Sequence, residues 1–383
     1  MAGLALPRLD AADPNVRGRH LLALPADVAE DEVEVLAQSR FAGARWVDAA
    51  EPPTTTRSLL RPVTAVLGLR AVGADTAPTR SLRIGRRSTL TGPYRVEPND
   101  AVALNLPPAT TLAYLVEAPR ERGDKPYPGG DRDGLKRAFP EGLPVLEEER
   151  VLQWLVAAAR RLGGAVRTAD HGVVLTPDPD SAIDLTVYSD RWLEPAETLA
   201  VVRRAQPAAM LNEADGTWRG PMPGSGRAAA DVPPGLPEAG GRGLSAALAR
   251  YGVLDEAERA RLTAEAAAYD AHLLANPPVA RGYGVLVDLG VDGLLAVEVA
   301  AADDDLPPLL HGLPWTAHGV VGYRVRWEPM ILEELETERP SLAHRVARGR
   351  AAPQLQAVAR ALHAVVGVEI ADEAGFLVDP ADL

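Results

Sequence analysis

The 383-residue chain contains no cysteine. That absence excludes disulfides, thiolate metal sites and cysteine nucleophiles. Aromatic residues are scarce, at 4% with three Phe, so its cores must be built mainly from Leu, Val and Ala. Lysine is almost absent: Lys125 and Lys136 stand alone, and nearly every cation is an arginine. No stretch approaches the ~18 consecutive apolar residues of a membrane-spanning helix. Met1 to Asp10 lacks a basic run followed by an apolar one, so no secretory signal is read there and the cytoplasm is the expected location.

The formal net charge is −13. An acidic excess of that size repels phosphate backbones and anionic lipid, so neither nucleic acid nor membrane is an expected partner. The densest basic stretch, Arg80 to Arg87, alternates like a strand with one wet face.

At about 150 residues per domain the length suggests two or three domains. Composition and pattern divide the chain into 1–107, an N-terminal α+β region; 108–215, a first α+β lobe; 216–281, a Gly/Pro-rich linker followed by an Ala-rich helix from Asp255; and 282–383, a second α+β lobe. In the first region, strands are expected at Arg19–Leu24, Ala44–Val47, Arg80–Ile84 and Ala101–Leu106, with a helix over Ala29–Ser39. Further on, strands are read at Leu112–Ala118, Ile183–Tyr188, Gly284–Leu289, Leu294–Val299 and Val320–Trp327. Helices are read at Glu147–Leu162, Pro195–Ala205, Glu333–Arg348 (interrupted by Pro340) and Leu355–Val365.

The most informative feature is internal similarity. Leu152, Leu155, Val156, Ala159 and Leu162 recur as Leu355, Val358, Ala359, Leu362 and Val365, at a constant offset of 203. Both sets occupy one face of a 3.6-residue period. Gly172 and Gly375 then turn a hairpin in each copy, and Tyr114-x-Val116 resembles Tyr323-x-Val325. The pattern reads as duplicated helix-plus-hairpin lobes. The fold class expected is α+β, with mixed or antiparallel sheets related to a ferredoxin-like layout and an additional N-terminal α/β region.

Chemistry is harder to find. There is no HExxH, no Walker loop, no GxGxxG after a strand and no nucleophile elbow around Ser225. The densest polar cluster is Asp303, Asp304 and Asp305 followed by His311, Trp315 and His318. Asp303, Asp305, His311 and His318 are therefore the candidate ligand or metal residues, because carboxylates and imidazoles together bind divalent ions or move protons. Asp170-His171 and the run Asp178, Asp180, Asp184 read as turn chemistry, since the latter lacks the Gly and Glu of a calcium loop. No cofactor is implied and no catalytic residue is assigned. The leading expectation is a non-catalytic intracellular protein that binds a protein partner or assembles with itself. The alternatives are a metal-dependent hydrolase using the Asp303–His318 loop, and a small-ligand sensor or carrier binding between the two lobes.

Overall fold

The computed structural model describes residues 6–47, 79–169, 171–212, 282–303 and 305–383. The expected linker and Asp255 helix, Trp218, Asp170 and Asp304 lie outside them. The described chain forms two seven-stranded sheets in which every pairing is antiparallel.

The first lobe contains α1 (Pro14–Arg17), β1 (His20–Leu24), α2 (Glu30–Arg40), β2 (Arg45–Val47), β3 (Arg80–Arg83), β4 (Thr89–Arg95), α3 (Pro98–Ala103), β5 (Leu112–Glu117), α4 (Leu135–Ala138), α5 (Leu146–Arg161), β6 (Ala165–Arg167) and β7 (Val174–Leu175). The second contains β8 (Leu185–Ser189), α6 (Pro195–Ala205), β9 (Met210–Leu211), β10 (Gly282–Asp288), β11 (Leu294–Ala301), β12 (Val321–Glu328), α7 (Leu342–Val366), β13 (Glu369–Asp372) and β14 (Leu377–Val378). The sheet orders are β2-β3-β4-β5-β1-β6-β7 and β9-β10-β11-β12-β8-β13-β14. Counted from the first strand of each lobe, these are one and the same order.

The likeness extends to register. Leu22 faces Tyr114 on one side and Val166 on the other; Val187 faces Tyr323 and Ile370 in the same way. Tyr114 and Tyr323 therefore occupy one topological position, and both are buried. The span 108–215, expected to form one lobe, is divided between the sheets: β5 to β7 belong to the first, β8 and β9 to the second. The topologically matching units run from β1 to β7 and from β8 to β14.

Each helix follows from its sequence. The first turn of α5 carries Glu147, Glu148 and Glu149, and its last turn Arg160 and Arg161, charges that oppose the helix dipole at both ends. It buries Leu152, Leu155, Val156 and Ala159 in the first core, while α7 buries Leu355, Val358, Ala359 and Leu362 in the second. Two expectations are corrected and one strand goes unread in the sequence. Ala101–Leu106 is not a strand, because Pro98 opens the short helix α3 and Asp100 is anchored by Arg8 Nε at 2.9 Å. β4 escapes a reading by alternation because Gly92-Pro93 interrupts it, and its register shifts between Thr91 and Tyr94. Glu333–Arg348 is a 3-10 turn over Leu332–Glu336, followed by α7, which starts after the capping hydroxyl of Ser341 and runs through Pro353 to Val366.

Among the described residues the lobes meet along a largely polar seam with an apolar plug. Phe376, on the β13–β14 hairpin, is buried in the first core. Arg132 Nη2 donates to Glu373 Oε1 at 2.5 Å, Arg137 Nη2 to Glu338 Oε1 at 2.6 Å, and Asp131 N to Glu336 O at 2.7 Å.

Candidate functional site on the open face of the second sheet

Every sheet has two faces, and the lobes treat their second faces differently. The inner faces pack on α2 and α5 in the first lobe and on α6 and α7 in the second. The outer face of the first sheet is sealed: Leu21, Ala23, Ala113 and Leu115 are buried beneath Leu9, Val16, Ala101 and Leu104. In the second lobe the loop that ends in Val320 covers only part of the outer face, packing Leu306 and Leu310 on Tyr188 and Ala371.

Register shows what changed. The facing pair Leu21–Leu115 of the first lobe corresponds to Thr186–Arg324 in the second, and Ala23–Ala113 to Tyr188–Gly322. Two leucines under a cap become a threonine and an arginine, both only half-buried. The inner-face partners Tyr114 and Tyr323 remain tyrosine. The difference is confined to one face, where packing does not demand it.

A cleft of about 510 Å3 opens over this face, walled by Arg150 and Gln153 of α5 and floored by Asp184, Thr186, Arg324 and Arg326. Asp184 Oδ1 accepts from Trp327 N at 2.9 Å, and its other oxygen lies 3.7 Å from Arg326 Nε. The side chain keeps 29% of its accessible surface, open to the cleft, while protein encloses it elsewhere. Burial pushes its pKa up to about 7; Glu373 adds to the rise, while the Trp327 N–H, Arg326 and Arg132 oppose it. Arg326 Nη1 donates to Glu298 Oε1 at 3.2 Å, and burial raises the pKa of Glu298 against the pull of Arg326 and Arg324. Burial also raises that of Glu328. Its Oε1 is buried without a hydrogen-bond partner among the described residues.

A second cavity of about 280 Å3 continues along the same face, past the ion pair between Arg324 and Asp305. A larger cleft, about 860 Å3, lies at the seam between α5 and α7. Its buried arginines are already engaged, Arg160 by Asp133 and Glu373 and Arg348 by Asp178 at 2.6 Å. Size therefore does not single it out as a site.

The residues singled out from sequence scatter. Asp303 Oδ1 accepts from Val320 N at 3.1 Å. His311 Nε2 lies 3.1 Å from Leu306 O, and His318 is exposed at the end of a 3-10 turn over Pro314–His318. Only Asp305 reaches the cleft, as the partner of Arg324. Among the described residues, no three His, Asp or Glu side chains gather as a metal-holding group. Asp178 caps a turn and binds Arg348, and Asp184, read beside it as turn chemistry, faces the cleft instead. Arg324 and Arg326 were legible in principle: they alternate with Tyr323, Val325 and Trp327, so one face of that strand had to be charged.

Among the described residues no helix is long and apolar enough to cross a membrane. Comparison with protein-family models, with curated proteins and with solved structures finds no match to this chain.

Proposed function

We propose that this protein is a non-catalytic binding protein, a sensor or carrier that takes a small molecule with a polar head on the outer face of its second sheet, beside the first lobe. One observation carries the reading. Positions that are leucine under an apolar cap in the first lobe are threonine and arginine over an open cleft at the same register in the second. Charged side chains on a sheet face cost packing, and ligand sites form preferentially at such inter-lobe crevices of roughly 300–1,000 Å3. A thermal-shift screen of amino acids, organic acids, nucleosides and sugars tests it. A ligand present at 100 times its dissociation constant stabilises the native state by about 2.7 kcal/mol. At least one compound is expected to raise the melting temperature of the wild type and not that of the double variant Thr186→Leu, Arg324→Leu, which restores the first lobe's chemistry. No shift with any compound, or equal shifts in both proteins, sinks the reading.

A second reading, self-assembly through a second copy, rests on Met330, Ile331 and Leu332. These three consecutive apolar side chains are 74%, 55% and 54% exposed. Light scattering over a hundredfold range of protein concentration is expected to show a dimer that Ile331→Asp returns to monomer. A monomeric wild type throughout the range removes this reading.

A further inference from the structure

The Arg324–Asp305 ion pair forms the wall shared by the two cavities on the open face. On one side lies the charged cleft. On the other is a trough of about 280 Å3 built largely from small residues, among them Gly282, Ala300, Ala302 and Gly322; among the described residues Arg324 is the one cation lining it. A polar head beside a small-residue trough is the arrangement that an amphipathic ligand fits. Deepening the reading above, and resting on it, we infer that this trough binds an aliphatic monocarboxylate, its head on the Arg324 guanidinium in place of Asp305 and its chain along the trough.

The exchange is physically easy. The two side chains of the pair are 33% and 53% exposed. Exposed pairs contribute little, so a second carboxylate can compete with Asp305. The Tyr188 hydroxyl donates to Asp305 O at 3.1 Å, which holds the loop backbone while the carboxylate swings away. Charge favours a single negative head. Glu298 sits directly across from Arg324 in the ladder and already holds Arg326. A monocarboxylate replaces the charge of Asp305 like for like. A phosphate would bring additional negative charge against Glu298, and an ammonium cannot pair with a guanidinium.

Calorimetric titration of the full chain with octanoate, acetate and octylamine tests the inference. Octanoate is expected to bind, acetate to bind at least tenfold more weakly for want of a chain, and octylamine not to bind. Arg324→Ala should weaken octanoate tenfold or more. Ala300→Phe, which fills the trough from an exposed position, should abolish binding with no change in melting temperature. Asp305→Asn should strengthen binding, by up to about fivefold, because it removes the internal competitor. That gain is an outcome no misfolded variant can mimic. Octanoate that does not bind, or that binds all four proteins equally, overturns the inference. If it fails while another compound still shifts the wild type and not the double variant, the broader reading survives; if no compound does, both fall.

Discussion

Glu148→Ala is expected to destabilise the first lobe by about 3–5 kcal/mol, the cost of removing one partner from a buried, hydrogen-bonded charge cluster. Glu148 is fully buried at the start of α5. Its Oε1 lies 3.3 Å from His20 Nε2, and its Oε2 accepts from Glu121 N at 2.8 Å and from Arg122. His20 Nδ1 accepts from Ala169 N at 3.1 Å, which makes Nε2 the protonated nitrogen that donates to the carboxylate. One side chain thus joins β1, the loop after β5, α5 and the end of β6. Alanine leaves an imidazole N–H, a backbone N–H and a guanidinium without this acceptor inside the protein. Glu148→Gln keeps an acceptor for the backbone but turns an amide donor toward another donor, so a smaller loss of about 1–3 kcal/mol is expected. Urea unfolding followed through Trp154, which is buried in the same core, measures both. A loss below about 1 kcal/mol for Glu148→Ala would show that the cluster holds nothing together.

How far the sequence discloses this molecule depends on the range of the interaction. Helices α5 and α6 are legible because the period of Leu152, Leu155, Val156 and Ala159, or the proline and capping glutamates at 194–197, are local signals. The offset of 203 and the Tyr114/Tyr323 match are legible too, and they lie on faces that pack in both lobes. The partition of the chain is not. That β5 crosses back to lie beside β1, or that Ile183–Tyr188 opens a new sheet rather than closing the first, depends on pairing across dozens of residues, which composition does not encode. The candidate site suffers in the same way. A cluster dense in sequence, Asp303 to His318, disperses because Asp303 and His311 turn to the backbone of their own loop, Asp305 pairs with Arg324, and His318 stays exposed at the end of its turn. The residues that converge, Asp184 with Arg326 and Arg324 with Asp305, come from β12 and the segments before β8 and after β11. Only the fold brings them together.

The same cleft supplies the second large effect. Asp184→Asn is expected to stabilise the protein above pH 7 and to leave it unchanged below about pH 4. Burial holds the native carboxyl at about 7, against 3.8 for a free one. Between those values the folded protein binds more protons at this site than the unfolded chain does, so stability falls as pH rises through the window and is lowest above it. Three units at about 1.36 kcal/mol each set a ceiling near 4 kcal/mol. The carboxyl retains access to water through the cleft, which reduces the expected effect to about 1–3 kcal/mol at pH 8. Asparagine still offers an oxygen to Trp327 N, so the backbone contact survives while the charge does not. Urea midpoints of both proteins at pH 4 and pH 8 decide the matter. A wild type that is the more stable at pH 8 would mean that Arg326 and Arg132 outweigh burial and that Asp184 is an ordinary ion-pair partner. A variant that gains only at pH 8 would show that the fold keeps a destabilising charge on the outer face of its second sheet. Proteins tolerate such a cost chiefly where a site needs it.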